Sequence, residues 1–153
     1  HFQIPFPQLE ARLTSHTQAV IINSPNNPSG VIYTQETLRK LADLLEKKAG
    51  EYGHPIYIIA DEPYRELVYD GNEVPFIPTL YRNTIVCYSY SKSLSLPGER
   101  IGYICVPDEA ENSDQVFAAI AGAARAIGHV CPPLSAPAGG GPLCASAPRY
   151  PGL

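Results

Sequence analysis

One short segment of this sequence concentrates an amine, two serine hydroxyls and a guanidinium. The amine belongs to Lys92, the hydroxyls to Ser89 and Ser91, and the guanidinium to Arg100. A lysine amine can form a Schiff base with an aldehyde, whereas serine hydroxyls and an arginine suit a phosphate group. The segment therefore predicts a ligand that carries both an aldehyde and a phosphate.

Three short apolar runs, each followed by polar residues, are predicted as the strands that position these groups. The runs cover residues 19–22, 56–60 and 85–88. Because α/β proteins bind ligands at the carboxyl edge of a sheet, the polar residues after each run are expected to face one site. The chemically relevant ones are Asn27, Asp61, Tyr64 and Lys92. An asparagine, an aspartate, a tyrosine and a lysine are the set needed to hold a pyridoxal ring.

Taken in order, these motifs resemble those of the class I/II, fold-type I aminotransferases that depend on pyridoxal 5'-phosphate. The matching stretches are residues 23–30, 61–64 and 89–103, and the similarity runs from about residue 1 to residue 131. The resemblance implies part of the family's large domain, an α/β fold with a three-layer, mostly parallel sheet flanked by helices. It also implies amino-group transfer between an amino acid and a 2-oxo acid.

The resemblance assigns a role to each matching residue. Lys92 resembles the lysine that holds the cofactor as a Schiff base and then shuttles a proton. Asp61 resembles the aspartate that pairs with the pyridine nitrogen. Opposite charges about 4 Å apart, at an effective dielectric near 20, attract by roughly 4 kcal/mol, which is enough to keep the ring protonated. Asn27 and Tyr64 correspond to the two side chains that hydrogen-bond the ring's phenolic oxygen.

Phosphate binding is the remaining role that the resemblance implies. Ser89 and Arg100 match phosphate ligands, since the planar guanidinium can contact two phosphate oxygens at once. Ser91 lies close enough in sequence to assist them.

Two unrelated chemistries fit parts of the pattern. Ser89 and Lys92 have the Ser-x-x-Lys spacing of serine acyl-enzymes, but the Ser-Asp-Asn and Lys-Thr-Gly elements of that class do not occur. Asp61 and Glu62 could end an ATPase strand, but the sequence has no glycine-rich loop ending in Gly-Lys-Ser/Thr.

Two alternatives share the residues of the main interpretation and stay open. One is another enzyme of the same fold, such as a carbon–sulfur lyase or a cyclopropane-forming synthase. The other is a non-enzymatic regulator that uses the domain to sense the cofactor. A helix-turn-helix segment upstream would favour the regulator, and a substrate-binding arginine downstream would favour the enzyme.

Composition excludes several functional classes. The net charge is −4, without a basic run, which argues against general nucleic-acid binding. No apolar stretch approaches the roughly 20 residues of a membrane span. The four cysteines and four histidines are scattered, so we expect no metal site. A reducing, cytoplasmic location is the expectation, with Cys87 and Cys105 as small core residues.

Length and composition also predict a fragment. The 153 residues contain no methionine, whereas members of the family that the sequence resembles are several hundred residues long and build their sites in homodimers. Residues 132–153 are rich in proline and glycine, which predicts an aberrant or disordered tail after the partial domain of residues 1–131. We therefore expect the isolated chain to lack transfer activity.

The segments between the motifs predict regular structure. Thr34 should cap a helix that runs to about Ala49 and is stopped by Gly50 and Gly53. Its apolar residues at helical spacing are Leu38, Leu41, Ala42, Leu45 and Ala49. A second helix is predicted over residues 113–127, with Phe117, Ile120, Ala121 and Ala124 facing inward. Residues 101–106 are predicted as a strand, which the resemblance implies is antiparallel.

Overall fold

The computed structural model describes residues 3–129. These residues form one four-stranded sheet with strands in sequence order, together with helices. The helices and strands are α1 (Phe6–Arg12), β1 (Ala19–Asn23), α2 (Gln35–Tyr52), β2 (Tyr57–Asp61), β3 (Thr84–Ser89), α3 (Tyr90–Ser93), β4 (Gly102–Cys105) and α4 (Ser113–Ala126). Short 3-10 helices cover Ile77–Thr79 and Pro97–Glu99. The predicted α/β class with a mostly parallel sheet is confirmed.

Parallel pairing places the carboxyl ends of β1, β2 and β3 side by side at one edge of the sheet. β1 pairs with β2, and β2 with β3, in parallel, so Asn23 lies opposite Asp61 and Asp61 opposite Cys87. β4 runs antiparallel to β3, with Gly102 opposite Ser89, as the resemblance implied. The polar residues that follow the strands therefore start from the same edge of the sheet.

Helix α2 is the element that the sequence predicted best. The Thr34 side chain accepts a hydrogen bond from the Thr37 backbone N–H at 3.1 Å, which makes it the expected N-cap. The prediction that Gly50 stops the helix is wrong, because α2 continues to Tyr52 and ends where Gly53 adopts a φ of 76°. A glycine inside a helix costs only about 1 kcal/mol, and the Tyr52 hydroxyl compensates by donating to the Leu13 carbonyl oxygen at 2.9 Å.

The main hydrophobic core lies between α2 and one face of the sheet. Four α2 residues predicted to face inward are buried: Leu38, Leu41, Ala42 and Leu45. They join Ile58 and Ala60 of β2 and Val86 of β3 in a single cluster. Each fully buried leucine or isoleucine contributes about 1.5–3 kcal/mol. This packing fixes the strands whose ends carry the predicted site.

Helix α4 has nearly the predicted bounds, but the prediction that its apolar face points inward is wrong. The Phe117 side chain is 47% exposed and no residue of α4 is buried. Two hydrogen bonds tie the segment that enters the helix to the sheet and to the residue before β3: the Glu111 N–H donates to Asn83 Oδ1 at 2.8 Å, and the Tyr57 hydroxyl donates to the Glu111 carbonyl oxygen at 2.6 Å.

Several predictions concern residues that the structure does not describe. The tail of residues 132–153 lies outside the described part, as do Cys131 and Cys144. The division into residues 1–131 and 132–153 stays a prediction. Among the described residues, no helix is both long enough and apolar enough to cross a membrane.

Candidate cofactor-binding site

The loop after β1 presents Asn27 to Tyr64. The Asn27 Nδ2 donates to the Tyr64 hydroxyl oxygen at 2.8 Å. The loop is shaped by its own hydrogen bonds, since the Asn26 side chain accepts from the Ser29 hydroxyl at 2.6 Å. It turns at Gly30, whose φ of 70° favours glycine. The structure therefore brings together the two residues predicted to contact one ring oxygen, although they lie 37 positions apart in sequence.

Asp61 is held by Asn23, a residue that the sequence interpretation did not assign to the site. The Asn23 Nδ2 donates to the Asp61 backbone oxygen at 2.9 Å and to its Oδ2 at 3.1 Å. The Asn23 Oδ1 in turn accepts from the Asn27 backbone N–H at 2.8 Å. Asn23 is the last residue of β1 and lies opposite Asp61, the last residue of β2. The rule that the ends of parallel strands share one edge of the sheet could therefore have identified it.

The carboxyl group of Asp61 lacks a positive partner among residues 3–129. Its partial burial raises the pKa of the carboxyl group above its ordinary value. The ionised form of Asp61 is therefore unfavourable in free energy unless a cation is supplied from outside the described residues.

Lys92 lies close to Tyr64. Its Nζ is 5.6 Å from the centroid of the Tyr64 ring, within the range of a cation–π contact. Lys92 is the third residue of α3, which follows β3 directly. The amine therefore adjoins the pair formed by Asn27 and Tyr64, and the Schiff-base role of Lys92 stays a prediction.

Ser89 and Ser91 form a pair at the start of α3. The Ser89 hydroxyl donates to the Ser91 hydroxyl oxygen at 2.8 Å and accepts from the Ser91 backbone N–H at 3.2 Å. This N-cap places two hydroxyl groups side by side. The structure thus joins the two serines predicted to bind phosphate.

Within residues 3–129, no hydrogen bond or ion pair joins the Arg100 side chain to the other predicted site residues. Its Nη1 donates to the Pro97 carbonyl oxygen at 3.1 Å, and its side chain is exposed. Its backbone has a φ of 53°, at the turn that leads into β4. The phosphate role of Arg100 stays a prediction.

Glu62, next to Asp61, is a buried acid with a structural partner. Its side chain is 1% exposed and its Oε2 accepts from Arg65 Nη1 at 2.9 Å. Arg65 also donates to the carbonyl oxygens of Val74 and Pro75, at 3.0 and 3.3 Å. Burial raises the pKa of Glu62 despite the arginine. This ion pair anchors the turn that carries Tyr64.

Within residues 3–129 there is no group of three or more histidine, cysteine, aspartate or glutamate side chains that could hold a metal ion. Cys87 and Cys105 are free thiols whose pKa values are raised by partial burial. Cys105 packs against the main core, as predicted, and Cys87 is half-buried at the opposite face.

Known proteins match this chain in both sequence and structure. A solved amino transferase from Eubacterium rectale is 65% identical, has a TM-score of 0.85, and is matched over 87% of this chain and 33% of its own. Aspartate aminotransferase from Thermotoga maritima is 35% identical with a TM-score of 0.64, over 78% of this chain and 30% of its own. Aspartate aminotransferase from Geobacillus stearothermophilus is 40% identical over 113 residues, which are 71% of this chain and 27% of that protein.

The chain thus spans about a third or less of the length of these relatives. The family model described as aminotransferase class I and II matches residues 1–145, nearly the whole chain. By this match, and by its similarity to the relatives above, the chain belongs to the class I and II aminotransferases.

Proposed function

We propose that this chain supplies cofactor-holding residues to a pyridoxal-phosphate-dependent aminotransferase, which transfers an amino group between an amino acid and a 2-oxo acid. The observation that carries the proposal is the contact network that links Asn23, Asn27, Asp61, Tyr64 and Lys92. The relatives are named as aminotransferases. No observation favours the lyase, synthase or regulator alternatives.

The donor set fits pyridoxal phosphate. The half-buried Asp61 carboxyl group lacks a cation within residues 3–129, and a protonated pyridine nitrogen is such a cation. Because the Tyr64 hydroxyl oxygen accepts from Asn27, its own hydrogen is left to donate to a ring oxygen. The paired hydroxyls of Ser89 and Ser91 suit phosphate oxygens.

Pyridoxal phosphate, when bound, supplies an aldehyde that captures amines and a ring that accepts an electron pair. The residues of this chain bind and orient it. Asp61 would accept a hydrogen bond from the protonated ring nitrogen, and Asn27 and Tyr64 would donate to the phenolic oxygen. Lys92 would hold the aldehyde carbon and, once displaced by a substrate amine, would move a proton at its Nζ. Ser89, Ser91 and Arg100 would bind the phosphate.

The substrates, assembly and location are parts of the same proposal. An amino acid and a 2-oxo acid are the proposed substrates, and a homodimer is the proposed assembly of the parent enzyme. A reducing, cytoplasmic location is part of the proposal, and Cys87 and Cys105, which form no disulfide bond within residues 3–129, are compatible with it.

The test is to add pyridoxal phosphate to the purified chain, reduce with borohydride, and map the modified lysine by mass spectrometry. We expect a visible absorbance band and an adduct on Lys92, and we expect Lys92→Ala to abolish both. Lys47→Ala is the matched control, since Lys47 is an exposed lysine on α2 that forms an ion pair with Glu10. An adduct spread equally over surface lysines, and unchanged in Lys92→Ala, would overturn the proposal.

A further inference from the structure

The hydroxyl group of Tyr88 bridges two segments that meet at the site. It lies 2.9 Å from Glu66 Oε2 and 2.6 Å from Ser93 Oγ. A phenol has one hydrogen and a carboxylate can only accept. Tyr88 therefore donates to Glu66, and the Ser93 hydroxyl completes the bridge from the other side.

Each end of this bridge adjoins a residue of the site. Glu66 lies two positions after Tyr64, in a turn closed by the hydrogen bond from the Leu67 N–H to the Tyr64 carbonyl oxygen at 2.9 Å. Ser93 directly follows Lys92 in α3. The bridge therefore connects the turn that carries Tyr64 to the helix that carries Lys92.

Helix α3 needs such an external support. It has four residues and none of them is buried. A single helical turn is unstable in isolation, because nucleating a helix costs more free energy than its first hydrogen bonds return. Contacts to the rest of the protein must therefore determine where Lys92 lies, and the hydrogen bond from Ser93 to Tyr88 is one of them.

The Tyr88 ring is itself held in place. It stacks on Tyr103 with ring centroids 5.0 Å apart, and it meets the edge of Tyr90 at 5.3 Å. Such pairs contribute about 0.5–1.5 kcal/mol beyond the area that they bury. The hydroxyl group that bridges Glu66 and Ser93 is thus carried on a fixed ring.

Tyr88 does not act on the ring site directly. Side chains alternate between the two faces of a strand. Cys87 is in register with Asp61 and so shares its face, which places Tyr88 on the opposite face of β3. The hydroxyl group of Tyr88 therefore acts on the site through its hydrogen bonds to Glu66 and Ser93.

We propose that Tyr88 is a positioning residue, which sets the separation between the Tyr64 ring and the Lys92 amine through its hydrogen bonds to Glu66 and Ser93. The consequence for the cofactor rests on the proposed function, whereas the effect on the two segments does not. Accordingly, the test has one readout without cofactor and one with it.

The first readout is amide hydrogen exchange of the chain without cofactor. We expect Tyr88→Phe to accelerate exchange about fivefold, the equivalent of one hydrogen bond, in residues 90–96 and 64–67. Tyr90→Phe is the matched control, because among the described residues the Tyr90 hydroxyl forms no hydrogen bond, although its ring packs in the same cluster. Glu66→Ala and Ser93→Ala should each reproduce the change in their own segment. Equal exchange in Tyr88→Phe and Tyr90→Phe would overturn the proposal.

The second readout is the pH titration of the visible absorbance after pyridoxal phosphate is added. Hydrogen-bond donors lower the proton affinity of the ring oxygen, so Tyr64→Phe should raise the titration midpoint. Tyr88→Phe should raise it by a smaller amount, and Tyr90→Phe should leave it unchanged. The proposal would be overturned if Tyr88→Phe accelerates amide hydrogen exchange but leaves the midpoint of the absorbance titration at the wild-type value. That result would show that Tyr88 has a purely structural role. If the unsubstituted chain forms no Lys92 adduct, the proposed function fails, and faster exchange still supports the positioning of the two segments.

Discussion

The Asn23 side-chain amide donates to both the backbone oxygen and the carboxylate of Asp61, at 2.9 and 3.1 Å. Its oxygen accepts from the Asn27 backbone N–H at 2.8 Å. One side chain thus holds both the proposed partner of the pyridine nitrogen and the loop that contacts Tyr64. Asn23 connects two functions that the sequence places 34 positions apart.

Asn23→Ala should lower the free energy of unfolding by about 1–3 kcal/mol, because it removes several hydrogen bonds at once. It should also weaken pyridoxal phosphate binding by about tenfold, since Asp61 and Asn27 lose their shared support. Urea denaturation and cofactor titration measure the two effects. Asn72→Ala is the control, because its hydrogen bond to the Tyr69 carbonyl oxygen is local and exposed. Similar losses in both variants would contradict the assigned role of Asn23.

Asp61→Asn should stabilise the chain without cofactor at neutral pH. The folded-state pKa of Asp61 is raised by burial, so the ionised form is less favourable in the folded state. The free energy of unfolding of the wild-type chain therefore falls as the pH rises toward and through the raised folded-state pKa of Asp61. Below the ordinary pKa of an aspartate, this loss of stability is absent. The gain for Asp61→Asn should stay under about 1 kcal/mol at pH 7, because the carboxylate keeps much of its solvation.

Thermal unfolding at neutral and acidic pH measures this difference for Asp61→Asn. The same variant should bind pyridoxal phosphate more weakly, since a neutral amide cannot balance a pyridinium charge. A loss of stability at neutral pH would show that Asp61 is satisfied within the chain, in conflict with its proposed partner.

Arg65→Ala should destabilise the fold by about 3–5 kcal/mol, because it leaves the Glu62 carboxylate buried without its partner. Glu62 is 1% exposed, and its Oε1 already has no hydrogen-bond partner among the described residues. Chemical denaturation measures the loss. Arg82→Ala, which removes an exposed ion pair with Glu111 at 4.0 Å, is the comparison and should cost under about 1 kcal/mol. Equal losses of unfolding free energy in Arg65→Ala and Arg82→Ala would contradict the argument that the burial of Glu62 makes its ion pair important for stability.

Gly102→Ala should weaken the pairing of β3 with β4. A Cβ at Gly102 would collide with the backbone oxygen of Tyr88, which a strand pair cannot move without losing register. We expect a loss of about 1–3 kcal/mol, as for overpacking elsewhere, and weaker trapping of the cofactor by Lys92. Gly122→Ala is the matched control, because that helical site has open space and the change should stabilise by about 0.4–1 kcal/mol. Thermal unfolding distinguishes the two variants.

Local patterns were sufficient to predict the principal elements. The spacing of apolar residues in α2, with Thr34 before it, predicted a helix and its buried face because capping and periodicity act within a few turns. The motif order also predicted that Asn27 and Tyr64 would meet, and their 2.8 Å hydrogen bond is observed. The short helix α1, which contributes Phe6 and Leu9 to the core, was not predicted, since one or two turns carry little periodicity.

The sequence by itself determined which residue types end each strand, and hence that an amine, a carboxylate and hydroxyls would share one edge. Tertiary structure decided the rest. The register of β1 on β2 sets Asn23 beside Asp61, and packing in three dimensions leaves Phe117 of α4 exposed although its spacing predicted burial. The physical reason is that periodicity reports only that a face is apolar. What covers that face depends on segments far apart in the chain.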